Sequence, residues 1–177
     1  MTYRKLAYSA VLVALGVGLG YVLAWFPNVE LVSFTAVLSG AVLGTVWGVI
    51  DGAFIFLIFS MLSPFGMAPV PLLAAQGLSG AMLGLTGGFF GKKINKPVYA
   101  LLLGIGGTLM YDILTNAAGY FNFPTGQTFF VYLIGGVSFS VIHIFANGLL
   151  FCVLFPIILK QKFSMINNYG ERIINEP

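Results

Sequence analysis

Five apolar runs divide the chain, at 6–25, 31–62, 71–90, 98–119 and 129–159. An α-helix crosses a bilayer in about 20 apolar residues, so four of these runs read as spans. The second is too long for one crossing: as a single helix it would measure roughly 47 Å against a hydrocarbon core of about 30 Å. The cationic clusters decide how it folds. Arg4/Lys5, Lys92/Lys93/Lys96 and Lys160/Lys162, with Arg172 beyond them, all fall on one side only if the run turns back near Gly44-Thr45-Val46-Trp47-Gly48. The pattern therefore predicts an all-α integral membrane protein of one domain. Its six transmembrane helices, at about 6–25, 31–45, 47–62, 71–90, 98–119 and 129–159, place both termini in the cytoplasm. Gly135-Gly136 is the expected bend or start point of the last helix.

Composition agrees. The 177 residues are 59% hydrophobic and 7% charged, whereas soluble domains carry about 25% charged residues. The first run follows Arg4 and Lys5 in the manner of a signal peptide, but its length and even apolarity keep it as a span. The spans leave no room for a soluble domain, so any nucleotide hydrolysis is expected on another chain. Gly87-Gly88-Phe89-Phe90-Gly91-Lys92-Lys93 has the wrong glycine spacing for a phosphate-binding loop and no Ser or Thr after the lysine. The net charge of +3 sits in short clusters between apolar segments, which reports topology and not nucleic-acid binding. One cysteine, Cys152, offers neither a disulfide framework nor a cysteine metal site.

Polar stripes inside the spans carry the candidate chemistry. Thr108, Asp112 and Asn116 recur every fourth residue and share a helix face. A carboxylate at membrane depth is costly and is expected to face the protein interior or a wet cavity, as a functional group or as a packing device. Gln76 shares a face with Ser79, at a depth where it can meet Asp112; Ser140, His143 and Asn147 form a third stripe. A lone histidine with scattered acids is weak support for a metal, so no metal or other cofactor is expected and His143 reads first as a hydrogen-bond partner. No flanking pattern marks Ser138 or Ser140 as an activated nucleophile, and the chain is not read as an enzyme. Asp51, just past the hairpin turn, is expected to reach the inner headgroup region or to cap a helix start.

The outward connections, 26–30, 63–70 and 120–128, hold no Lys or Arg. They carry Pro27, Asn28, Glu30, Pro64, Phe65, Tyr120 and Pro124, a stiff aromatic and polar set suited to roofing a ligand. Trp25, Phe129 and Phe130 fit an interfacial aromatic belt. Small residues recur every fourth position at Ala10/Ala14/Gly18, Gly40/Gly44/Gly48/Gly52 and Gly80/Gly84/Gly88, letting helices approach closely. The first of these faces is expected to receive a partner helix.

Together these residues resemble the substrate-binding (S) component of energy-coupling factor transporters. The likeness rests on Ala10-Val11-Leu12-Val13-Ala14, Pro27-Asn28-Val29-Glu30, Pro64-Phe65-Gly66 through Ala75-Gln76, and Asp112-Ile113-Leu114-Thr115-Asn116. It implies a high-affinity vitamin-binding subunit in a bacterial-type cytoplasmic membrane, with the ligand held near the outer surface. It also implies delivery through a separate transmembrane coupling subunit and two ATPase subunits, with Ala10, Ala14 and Gly18 as the coupling contact. Carried onto this chain, the pocket would draw on Asn28, Glu30, Phe65, Gln76, Asp112, Asn116 and Tyr120, with His143 as a floor. With no cation in the outer half and two acids there, a neutral or cationic vitamin-like ligand is expected, thiamine-like, pyrimidine-like or corrinoid. The competing reading is a stand-alone proton- or ion-coupled carrier or channel in which Asp112 and His143 are relay groups.

Overall fold

The computed structural model describes residues 3–123 and 126–175, with only the helical backbone described from 161 onward. Pro124 and the side chains of Lys162 and Arg172 lie outside the described residues. The elements are α1 (Tyr3–Leu23), α2 (Val32–Leu43), α3 (Thr45–Met61), α4 (Val70–Phe90), α5 (Pro97–Asn122), α6 (Phe129–Gly135) and α7 (Val137–Asn175), and no strand occurs among the described residues. Four helical stretches are long and apolar enough to cross a membrane: α1, α4, α5 and Val137–Lys160 of α7. The chain is an all-α membrane protein. Its outer surface exposes large side chains such as Phe54, Leu102, Phe145 and Val153, as lipid contact requires.

The long second run breaks where its length demanded. Gly44, at φ 99°, is the single residue between α2 and α3, a backbone conformation that disfavours a side chain. Across this turn Ser39 meets Asp51, so α2 and α3 fold back on each other as a hairpin. The α2 helix spans about 18 Å and α3 about 26 Å, both shorter than the hydrocarbon core. Paired contacts fix the other directions. Gly48 faces Gly84 while Gly52 faces Gly80, which makes α3 and α4 antiparallel; Gly16 faces Ile55 while Gly20 faces Phe59, which makes α1 and α3 parallel. Thr108 meets Asn147 and Asp112 meets His143, so α5 and α7 are antiparallel.

Glycine permits the tightest of these contacts. A Cβ on Gly84 would overlap the Gly48 carbonyl, and the reverse holds; Gly52 and Gly80 repeat the relation one turn on. Gly40 and Gly87 bring α2 against α4 in the same way. Backbone is packed on backbone, and dispersion over that contact stands in for the hydrophobic driving force that lipid does not supply. Beneath the site, Phe34 of α2 packs against Phe151 and Phe155 of α7 with ring centroids 5.7 and 4.4 Å away.

One expectation is corrected. Asp51 does not reach headgroups or cap a helix; it is 1% exposed and accepts hydrogen bonds from Ser9 at 2.6 Å and Ser39 at 2.5 Å. The hydroxyls of α1 and α2 replace water around a carboxylate that three helices enclose. The run 129–159 breaks at the expected Gly135-Gly136: α6 ends at Gly135 and α7 starts at Val137, with the Asn116 side chain packed closely on Gly136.

Arg4, Lys5, Lys92, Lys93 and Lys96 lie at or beyond the helix ends on one side of the bundle, and Lys160 lies on that side too, at the end of the apolar stretch of α7. The C-terminal ends of α1 and α5 and the N-terminal ends of α2, α4 and α7 converge on the other, and a cavity opens among them.

Candidate functional site

Glu30 is positioned by a turn that the sequence forces. Pro27 fixes one dihedral, and Asn28 takes the left-handed conformation at φ 63°, which asparagine tolerates better than most residues. The chain then enters α2 with Glu30 Oε2 accepting the Ser33 backbone N–H at 2.8 Å, a side-chain cap on a helix start whose donors would otherwise be orphaned. Its other oxygen accepts from Asn147 Nδ2 at 2.9 Å and lies 3.7 Å from His143 Nε2. Burial pushes the Glu30 carboxyl up, but the His143 imidazole and the Ser33 amide more than offset this and hold it below its ordinary value.

His143 sits between two carboxylates. Its Nδ1 is 2.8 Å from Asp112 Oδ1, and its Nε2 faces Glu30. One acid on each ring nitrogen fixes the plane of the imidazole. This arrangement also keeps the two acids apart, and among the described residues no group of three His, Cys, Asp or Glu is placed to hold a metal ion. Below the histidine, Asn147 Nδ2 also donates to Thr108 Oγ1 at 3.1 Å. The Glu30 carboxylate can only accept when ionised, which sets the orientation of the Asn147 amide.

Gln76 enters from α4, its Nε2 3.4 Å from the Tyr111 hydroxyl, and the Tyr111 ring meets His143 edge-on at 5.8 Å. These groups line a cavity of about 440 Å³, in the size range of small-molecule sites. Two acceptors in its wall, Asp112 Oδ2 and Gln76 Oε1, are buried without a hydrogen-bond partner.

Of the residues expected at a pocket, Asn28, Glu30, Gln76, Asp112, Asn116 and His143 line this cavity. Phe65 and Tyr120 are not in its lining. Phe65 follows the 63–66 turn outward and meets Trp25 edge-on at 5.7 Å, 68% exposed. Tyr120 packs against Phe121, Phe129 and Tyr132. It is two i+4 steps from Asp112, and a helical face drifts by about 80° over eight residues, so Gly119 takes the cavity position instead. Sequence reasoning missed Tyr111, Thr115, Tyr132 and Phe139 in the lining. Tyr111 and Thr115 are the immediate neighbours of the Asp112/Asn116 stripe, and a face wider than one residue would have included them.

A second concavity lies on the outside of the bundle. Ala10, Ala14 and Gly18 share it with Trp47, Ile50, Phe54 and Ile58, forming an open groove between α1 and α3. A Cβ on Gly18 would meet nothing within 4 Å, whereas Gly16 and Gly20, on the opposite face, press on Ile55, Val32 and Phe59. The chain matches no protein-family model, no curated protein and no solved structure.

Proposed function

We propose that this protein is the substrate-binding subunit of an ATP-driven importer of the energy-coupling factor type. In this reading it crosses a bacterial-type cytoplasmic membrane six times with both termini inside. It captures a neutral or cationic vitamin-like solute on the outer side and passes it inward through a separate coupling subunit and two ATPase subunits. The observation that carries the reading is the placement of the cavity, with two acids in its wall, at the end of the bundle opposite every described cation. Support also comes from the alternating directions of α1 to α5 and α7, and from the short α2–α3 hairpin turning at Gly44 on the cationic side. The α1 groove lined by Ala10, Ala14 and Gly18 fits a docking face for the coupling subunit.

Reconstitution tests it. The purified chain alone is expected to bind its solute tightly without moving it, and uptake is expected only when coupling and ATPase subunits are added with ATP. A thermal-shift screen of vitamins and precursors on the detergent-solubilised chain finds the solute. Stabilisation by none of them weighs against the reading.

The contact between Asp112 and His143, extended to Glu30, favours one alternative: a proton- or ion-coupled carrier or channel in which these groups relay charge. That reading requires transport by the chain alone, driven by a proton or ion gradient.

A further inference from the structure

Building on the reading of the cavity as a solute site, we infer that its ligand is an organic cation carrying its own N–H donors, of the protonated amine or amidine kind. The charges come first. Among the described residues, Glu30, Asp112 and His143 are the acidic and basic side chains that line the cavity. With both carboxylates ionised, even a protonated imidazole leaves one net negative charge, and among the described residues neither lysine nor arginine lines the cavity. A carboxylate or phosphate ligand would add another anion to a site already short of positive charge. A cation completes it.

Hydrogen bonding points the same way. Asp112 is 7% exposed, yet its Oδ2 has no partner, and the Gln76 carbonyl oxygen across the cavity is also buried and unpaired. Buried acceptors are rarely left so, because each lost hydrogen bond leaves a desolvated group behind. Both acceptors belong to side chains already anchored by their other atoms, Asp112 on His143 and Gln76 on Tyr111. They are held ready for donors. A ligand with N–H groups on a positive centre supplies donors and charge together, through the strongest class of hydrogen bond. Tyr111, Tyr132 and Phe139 in the lining add aromatic rings, whose faces attract cations.

Three probes of nearly equal shape isolate the charge: benzamidine, benzamide and benzoate, each titrated against thermal unfolding of the detergent-solubilised full chain. Benzamidine is expected to raise the midpoint with concentration, benzamide to act far more weakly and benzoate not at all. Asp112→Asn is expected to weaken benzamidine about tenfold or more. Because that change also touches the His143 pairing, Gln76→Glu provides an arm that no folding defect can mimic: the added carboxylate is expected to tighten benzamidine about tenfold. Stabilisation by benzoate, parity of benzamide with benzamidine, or no response to benzamidine in both wild type and Gln76→Glu overturns the assignment. The importer reading fails separately. Cation preference without stimulation of uptake by coupling subunits removes the transporter and keeps the cation site, while stimulated uptake of an anionic solute does the reverse.

Discussion

Asp112 and His143 meet through Oδ1 and Nδ1 at 2.8 Å, from antiparallel helices, at a level where each is 7% exposed. The pair joins α5 to α7 and at the same time aims the second imidazole nitrogen at Glu30. His143→Phe removes the imidazole that bridges the buried Asp112 and the half-buried Glu30. It is expected to cost about 3 kcal/mol of stability, read from the unfolding of the purified variant in detergent. His143→Gln, which restores a donor, is expected to recover part of that loss. Equal stability of wild type and His143→Phe would show that the two carboxylates do not depend on the imidazole.

Glu30 gives the protein an acid limit. Its folded-state value is held below the ordinary 4.5, so the ionised form contributes stability above that value, and the contribution is lost as pH falls through the lower folded value. Melting temperature measured between about pH 3 and pH 6 is expected to drop on the acid side in wild type. Glu30→Gln is expected to start lower at neutral pH and to flatten the curve. An unchanged acid limb in the variant would move the effect to other carboxylates.

Asp51 is held by Ser9 and Ser39 and is absent from the lining of the cavity that Glu30, Asp112 and His143 share. Asp51→Ala strands two buried hydroxyls and is expected to destabilise by about 2 kcal/mol. Once folded, the variant is expected to bind the solute with unchanged affinity. A large loss of affinity in an intact Asp51→Ala protein would assign this group a role in binding.

Two glycines separate packing from docking. A Cβ on Gly84 runs into the Gly48 carbonyl, so Gly84→Ala is expected to cost about 1–3 kcal/mol by forcing α3 and α4 apart. Gly18 faces open space. Gly18→Leu is expected to leave unfolding and solute binding untouched while abolishing uptake in the reconstituted transporter. Normal uptake by Gly18→Leu would remove the α1 groove from the coupling interface.

Much of the helical plan was legible because it follows from length. A run too long for one span had to turn, and glycines inside it marked where; the break falls at Gly44, within the expected 44–48. The small-residue spacing announced close helix approach, although not that α3 and α4 would be the pair that meets, nor that Gly16 and Gly20 would pack inward while Gly18 stayed free. The site was legible as separate stripes on single helices. How they join was not. Nothing in local spacing says that Glu30, at the start of α2, meets Asn147 and His143 in α7, because that pairing depends on tertiary placement across more than a hundred residues. Asp51 was misread for the same reason: its partners come from two other helices.

α1 has a property that neither concavity reveals alone. Gly20, Leu23 and Ala24 face the solute cavity, while Ala10, Ala14 and Gly18 face the outer groove. Positions 18 and 20, on opposite sides of α1, thus look into different concavities, and α3 borders both as well, through Ile58 on the groove and Phe59 on the cavity. A displacement of α1 or α3 would therefore alter cavity and groove together, because each helix is a wall of both.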